Sequence, residues 1–297
     1  MAILTADPPS LHATELTRAE RRDQIWVLSM MGPGLLLMIA LVVGPFVWLA
    51  MVSLIGSDNQ VGIENYVRVF QDSAYAKSLW LTLWMSASVT GLAAVLGYTL
   101  AYAISCMPPR LAGLCLLLVA LPFWTGVLVR TYAWLMLLQY TGIVNKALMS
   151  IGIIDEPLAM MHNATGALIG MFHIMLPFMV FPLYATLRGV DPDYRQAAES
   201  LGASRFRSFW SVFFPQTLPG LIAGSLLVFI LCLGFYITPA LLGGGKTIVF
   251  SIALERDVRL NMDWGPAAAV AVLFVASIFL IFALAARFVS LDRIFQR

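Results

Sequence analysis

Residues 188–220, RGVDPDYRQAAESLGASRFRSFWSVFFPQTLPG, decide how the rest of the chain is read. The stretch is dense in helix punctuation. Asp191 is a natural N-cap, Pro192 suits the first helical position where no N–H is needed, and Asp193 favours the positive end of a helix dipole. Tyr194, Ala197, Ala198 and Leu201 recur at i, i+3, i+4 and i+7, which places them on one apolar stripe with its small residues in the middle. Gly202 can take the left-handed conformation that stops such a helix. Ser204 can cap a second helix through Phe206, Phe209, Trp210 and Phe213, with Pro215 and Pro219 expected to interrupt it. An apolar stripe can lie on lipid headgroups or seat against another protein. A lipid-facing stripe gains from large side chains, so the alanine pair favours close seating on a protein.

What flanks this stretch is almost uncharged. The run before it spans 157–187 and the run after spans 208–245, and neither contains Asp, Glu, Lys or Arg. The whole chain of 297 residues is 60% hydrophobic and 11% charged, with a mean hydropathy of +0.86. Soluble domains carry roughly a quarter charged residues, so too little polar surface remains to cover a water-soluble globule. The expected solvent is a bilayer. A net charge of +2, thinly dispersed, argues against a nucleic-acid partner. Cys106, Cys115 and Cys232 show no CxxC spacing, which argues against a disulfide framework or a zinc site.

A spanning helix needs about 20 apolar residues. Six charge-free runs are long enough: 24–57, 78–109, 111–129, 157–187, 208–245 and 264–286. The predicted helices are 26–54, 79–105, 111–130, 165–187, 218–242 and 265–288. Residues 1–25 form an N-terminal segment and 26–297 the membrane domain. If the N-terminus is cytoplasmic, eleven of the eighteen Lys and Arg residues fall on the inner side, Arg188, Arg195, Arg205 and Arg207 among them. That bias predicts both termini and the loop 188–217 inside. Residues 131–154 could form a seventh span, but Gly142, Asn145 and Lys146 fall mid-segment, which favours an interfacial or re-entrant helix. The GGGKT string at 243–247 imitates a phosphate-binding loop, yet Ala240 stands where its first glycine is required and no strand precedes it. Gly243 or Gly244 is expected to end a helix instead.

At this point the loop resembles the permease subunits of binding-protein-dependent ABC importers. Their signature runs E-A-A, three residues, Gly, nine residues, Ile, one residue, Leu, Pro. Here Gln196, Ala197, Ala198, Gly202, Val212, Phe214 and Pro215 occupy those positions with both spacings intact, Gln replacing Glu and Val replacing Ile. PFWTGVLVRTYAWLMLL at 122–138, GIVN at 142–145, TPALLGGGK at 238–246 and DWGPAAA at 263–269 are similar to the spermidine/putrescine branch, which also includes transporters of other small solutes. The resemblance implies an all-α polytopic bundle of six transmembrane helices, the type I ABC importer permease fold, in the bacterial inner membrane. It implies a coupling surface at Tyr194, Gln196, Ala197, Ala198, Leu201, Gly202 and Pro215 that docks on a cytoplasmic ABC ATPase. A second related permease completing a heterodimer and a periplasmic solute-binding protein are further implied partners. Neither cofactor, metal nor catalytic residue is implied.

For the solute path, Trp124, Arg130, Tyr132, Trp134 and Tyr236 are the candidates, because aromatic faces attract ammonium groups. Arg130 reads first as a snorkelling interfacial anchor, and as a solute contact it would point to an anionic or zwitterionic solute such as an opine or amino-acid derivative. His173, inside the fourth span, is expected to bond a carbonyl released by Pro177. A stand-alone secondary transporter would instead need coupling-ion ligands within its spans, and a membrane enzyme a polar constellation there. The spans supply only His173.

Overall fold

The computed structural model describes residues 11–56, 60–262 and 264–288. Among them the chain is helical, with one isolated antiparallel bridge between Ile55 and Val61. The helices are α1 (Leu11–Ser53), α2 (Glu64–Gln71), α3 (Ser73–Ser105), α4 (Pro109–Ala120), α5 (Val127–Leu137), α6 (Ile143–Ser150) and α7 (Ala164–Gly189). They continue as α8 (Pro192–Ser200), α9 (Arg205–Ser208), α10 (Phe214–Leu233), α11 (Ile237–Leu242), α12 (Phe250–Arg256) and α13 (Trp264–Phe288).

Segments 29–53, 73–105, 164–189 and 205–233 are each long and apolar enough to cross a membrane. Three of them form the core. α7, α3 and α10 pack against one another, and α7 buries Met171, Met175, Met179, Val180 and Leu183 in a core shared with Met85 and Val89 of α3 and Val228 of α10. Lipid tails are as apolar as leucine, so burial alone does not drive such packing, and close backbone approach at small residues does. A β-carbon added to Gly97 of α3 would lie 2.8 Å from Met179 Cγ, and one on Gly224 of α10 would lie 2.9 Å from Met179 Sδ. One on Gly170 of α7 would meet Leu242 at 2.5 Å, and one on Gly220 would strike Thr186. The small-residue pairs at 166/170 and 220/224 are thus contact surfaces. α1 stays outside this core and packs on α13, where Trp48 meets Trp264 edge-on at 6.3 Å.

Two predicted spans differ from the structure. The run 111–130 is not one helix. α4 tightens into a 3-10 turn over Leu121–Trp124, Thr125 is extended, and α5 departs at 100°. Pro122 lacks the N–H that would continue the α-helix, and hydropathy cannot register a bend between two apolar halves. Residues 131–154 accordingly comprise the rest of α5, a turn and the short α6. The predicted span 218–242 instead begins at Arg205 and ends at Leu233; Gly234, Phe235 and Tyr236 then break the chain before α11. Pro215 and Pro219 do not interrupt it. A π turn at Phe209–Phe213 precedes Pro215, which sits in the first turn of α10, where its missing N–H costs little. Gln216 Nε2 donates to the Val212 carbonyl at 3.0 Å and so supplies a donor inside the loosened turn. Helices α1, α3, α7 and α13 overlap the spans predicted at 26–54, 79–105, 165–187 and 265–288, the apolar part of α13 being the shorter segment Trp264–Leu280.

Candidate functional site

The loop between α7 and α10 is built by local chemistry. Asp191 Oδ1 accepts the Asp193 N–H at 3.0 Å, Pro192 opens α8, and the helix closes when Gly202 turns at φ +90°. Ser204 Oγ accepts the Arg207 N–H at 3.3 Å and starts α9. The two short helices are held together by Ser208, whose hydroxyl donates to the Arg195 carbonyl at 3.3 Å, while Arg195 pairs with Glu199 along α8 at 3.5 Å. α8 presents its apolar stripe outward. Tyr194 is 50% and Leu201 90% exposed, Ala197 and Gln196 are exposed, and Ala198 is half-buried. Among the described residues the stripe is left largely open to solvent.

Behind the loop runs an aromatic ladder. Tyr102 of α3 meets Phe209 at 5.5 Å and Phe213 at 5.7 Å, both edge-on, and Tyr98 meets Phe214 at 5.6 Å. The Tyr98 hydroxyl lies 3.0 Å from Thr217 Oγ1. The C-terminal end of α3 is therefore locked to the start of α10 directly above α8, and the Ser73 end of α3 lies at the opposite face of the bundle.

The five solute-path candidates are divided by the α4–α5 elbow. Trp124, at the tip of the 3-10 turn, is 79% exposed, and Tyr132 is 56% exposed. Trp134 instead turns inward to meet His173 of α7 edge-on at 5.4 Å. Arg130, one turn before Trp134 on α5, is half-buried, with Nε buried and without a hydrogen-bond partner among the described residues. His173 Nδ1 is likewise buried and unpartnered, so the expected bond to a carbonyl freed by Pro177 is not made there. Tyr236 sits in the break between α10 and α11.

Sequence reasoning missed the fastening of this elbow. Thr131 of α5 and Thr238 of α11 are fully buried with their hydroxyls 3.0 Å apart, and Thr131 also bonds the Val127 carbonyl at 2.9 Å. Asn145, whose polarity argues against a span through 131–154, ties the loop after α5. Its Nδ2 donates to the carbonyls of Gln139, Tyr140 and Leu158, and its Oδ1 accepts the Leu158 N–H at 2.9 Å. A threonine pair 107 residues apart leaves no signal in sequence spacing. No group of three or more His, Cys, Asp or Glu side chains placed to hold a metal occurs among the described residues. The GGGKT string lies in a loop after α11 in which Gly244 and Gly245 take positive φ, while Gly243 closes the helix with φ −76°.

A bundle of long apolar helices, interrupted by an elbow and carrying an exposed amphipathic helix at one end, is the architecture of a multi-pass membrane protein. Residues 95–291 match the family described as the inner membrane component of binding-protein-dependent transport systems, and the chain belongs to that family. It is a bacterial inner-membrane transport subunit. Among its relatives, the spermidine/putrescine transport system permease protein PotB of Haemophilus influenzae is 35% identical over 212 residues, 71% of this chain and 74% of that one. The inner membrane ABC transporter permease protein YcjO of Escherichia coli is 27% identical over 285 residues, 92% of this chain and 97% of that one. The fold also matches a chain of a bacterial ABC transporter that imports the acidic polysaccharide alginate, with a TM-score of 0.72 at 17% identity, covering 95% of this chain and all of the other.

Proposed function

We propose that the chain forms half of the membrane pathway of an ABC importer for polyamines of the spermidine and putrescine class. The observation that carries this is 35% identity, over 71% of the chain, to a permease whose name specifies those solutes. A periplasmic binding protein delivers the solute, a second related permease supplies the other half of the pathway, and separate cytoplasmic ATPase subunits hydrolyse ATP. Both termini and residues 188–217 are cytoplasmic, which makes the Ser73 end of α3 periplasmic.

In this reading α8 is the coupling helix. Tyr194 and Leu201 supply the apolar contacts, Ala197 and Ala198 allow the backbone to seat deeply in an ATPase groove, and Gln196 offers a polar contact at the rim. Gly202 reverses the chain so that Phe209, Phe213 and Phe214 meet Tyr102 and Tyr98. Displacement of α8 is thereby transmitted to α3 and α10 together. Pro215 keeps the entry to α10 in its π-turned geometry. Along the solute path Trp124, Tyr132, Trp134 and Tyr236 offer aromatic faces to an ammonium group at about 0.5–2 kcal/mol each. Arg130 favours a second reading, a carboxylate-bearing solute such as an opine or amino-acid derivative, because its fixed positive charge opposes a cation.

The test is ATP-dependent uptake into vesicles carrying the assembled transporter and its binding protein. Uptake of putrescine or spermidine is expected. Transport of an anion or zwitterion, with no polyamine uptake or competition, overturns the solute while leaving the permease role. A cysteine at Ser200 reactive only from the periplasmic side overturns the topology and the coupling role together.

A further inference from the structure

Two cavities adjoin at the face of the bundle opposite α8. The first, of about 470 Å³, lies at the helix ends and is lined by Asp72, Lys77, Lys246, Arg256 and Asp257 among others. Its carboxylates are engaged: Asp72 Oδ1 caps α3 by accepting the Ala74 N–H at 2.8 Å, and Asp257 accepts the Tyr75 hydroxyl at 2.6 Å. Its three cations are exposed, and none has an ion-pair partner among the described residues. Three cations face two carboxylates in the lining, so basic charge is in excess by one. The second cavity, of about 290 Å³, is apolar and lies between α2, α3, α12 and α13, lined by Phe70, Ala76, Leu79, Leu273 and Phe274. Along α13 it runs from Val270 to Ser277, roughly 10 Å at 1.5 Å per residue. Phe70, 76% exposed on α2, lines it, as does the stacked pair Phe250 and Phe274, 4.7 Å apart. Tyr75 lines both cavities.

We propose that the paired cavities hold one anionic glycerophospholipid of the periplasmic leaflet, its phosphodiester among Lys77, Lys246 and Arg256 and an acyl chain in the apolar cavity beyond Tyr75. Charge at the membrane surface and an apolar slot running inward from it is the layout of a phospholipid. Neither half alone specifies one: the basic cavity would suit any acidic group, and the slot any hydrocarbon. The bound lipid would brace α12 and α13 against α3, adding to the Tyr75–Asp257 bond and the bond from the Phe250 N–H to Thr82 Oγ1 at 2.8 Å. The inference rests on the membrane placement of the bundle and not on its solute.

The full chain, purified in its transporter and exchanged into nanodiscs of defined lipid, tests this by native mass spectrometry after partial delipidation. Phosphatidylglycerol should persist as a single adduct, retained about tenfold better than phosphatidylcholine, since each basic side chain at the surface contributes to anionic-lipid affinity. The triple substitution K77Q/K246Q/R256Q should remove that preference, and K77R/K246R should keep it. Ala76→Trp, which fills the apolar slot from an exposed position on α3, should lower retention of phosphatidylglycerol without altering the response to glycerophosphoglycerol, the headgroup alone. Equal retention of the two lipids overturns the proposal, as does an unchanged adduct in either the triple variant or Ala76→Trp. Loss of binding-protein affinity in the triple variant, with lipid retention unaltered, would reassign the basic cavity to an acidic protein surface and equally overturn it.

Discussion

Met179 of α7 occupies the space that Gly97 of α3 leaves open, so that a β-carbon on Gly97 would stand 2.8 Å from Met179 Cγ and 3.3 Å from its Cβ. Gly224 receives the same methionine from the other side. The three central helices thus meet at one flexible side chain held between two glycines, and this point couples α3 to α10 above the loop.

Gly97→Leu should therefore destabilise the bundle by about 1–3 kcal/mol, the usual cost of overpacking a tight core. Gly91, six residues earlier on the same helix, has open space around its β position, and Gly91→Ala should be neutral or slightly stabilising. Thermal unfolding of the two purified variants in detergent checks the contrast.

At Gly202 the expectation differs in kind, because nothing lies within 4 Å of its β position while φ is +90°. Strain in the turn, and not a clash, is what a side chain would introduce. Gly202→Val should reduce uptake strongly at unchanged membrane abundance, with Gly202→Asn milder, since asparagine tolerates positive φ better. Uptake and immunoblot signal are measured on the same vesicles.

The hydroxyls of Thr131 and Thr238 hold the elbow at α5 to α11, 3.0 Å apart. A double-mutant cycle with Thr131→Val and Thr238→Val should return a coupling of about 0.6 kcal/mol, with ~1.7 kcal/mol as an upper bound for hydroxyls in a membrane bundle. Unfolding of the four proteins in mixed micelles supplies the numbers.

Asn145→Leu should be the most damaging change in the loop after α5. It strips three carbonyls and one N–H of the partner they share. With each buried polar group costing ~1–3 kcal/mol when unpaired, and water reaching some of them, the loss should be about 2–4 kcal/mol. Protease sensitivity between α5 and α7 should rise with it.

How far these features could be read from the residues alone depends on the range of the interactions that make them. The caps and turn of the loop at 188–204 were legible because each is a contact over two to four residues: Asp191 with Asp193, Gly202 on its own φ, Ser204 with Arg207. The apolar runs were legible because a bilayer imposes length and hydropathy on any segment that crosses it. The helices α1, α3, α7 and α13 follow from those two rules. The bend at Thr125 and the continuity of the helix through Pro215 do not, because both sides of each are equally apolar and the outcome turns on where neighbouring helices can pack and supply donors. Nor could spacing reveal which candidates face one another: Trp134 turns to His173 because α5 is folded back on α7, and Thr131 meets Thr238 because α11 fills the gap that the elbow opens. Local backbone chemistry and bilayer thickness act along the chain and are written in it, whereas the meeting of distant helices is settled by the shapes of the surfaces they present to one another.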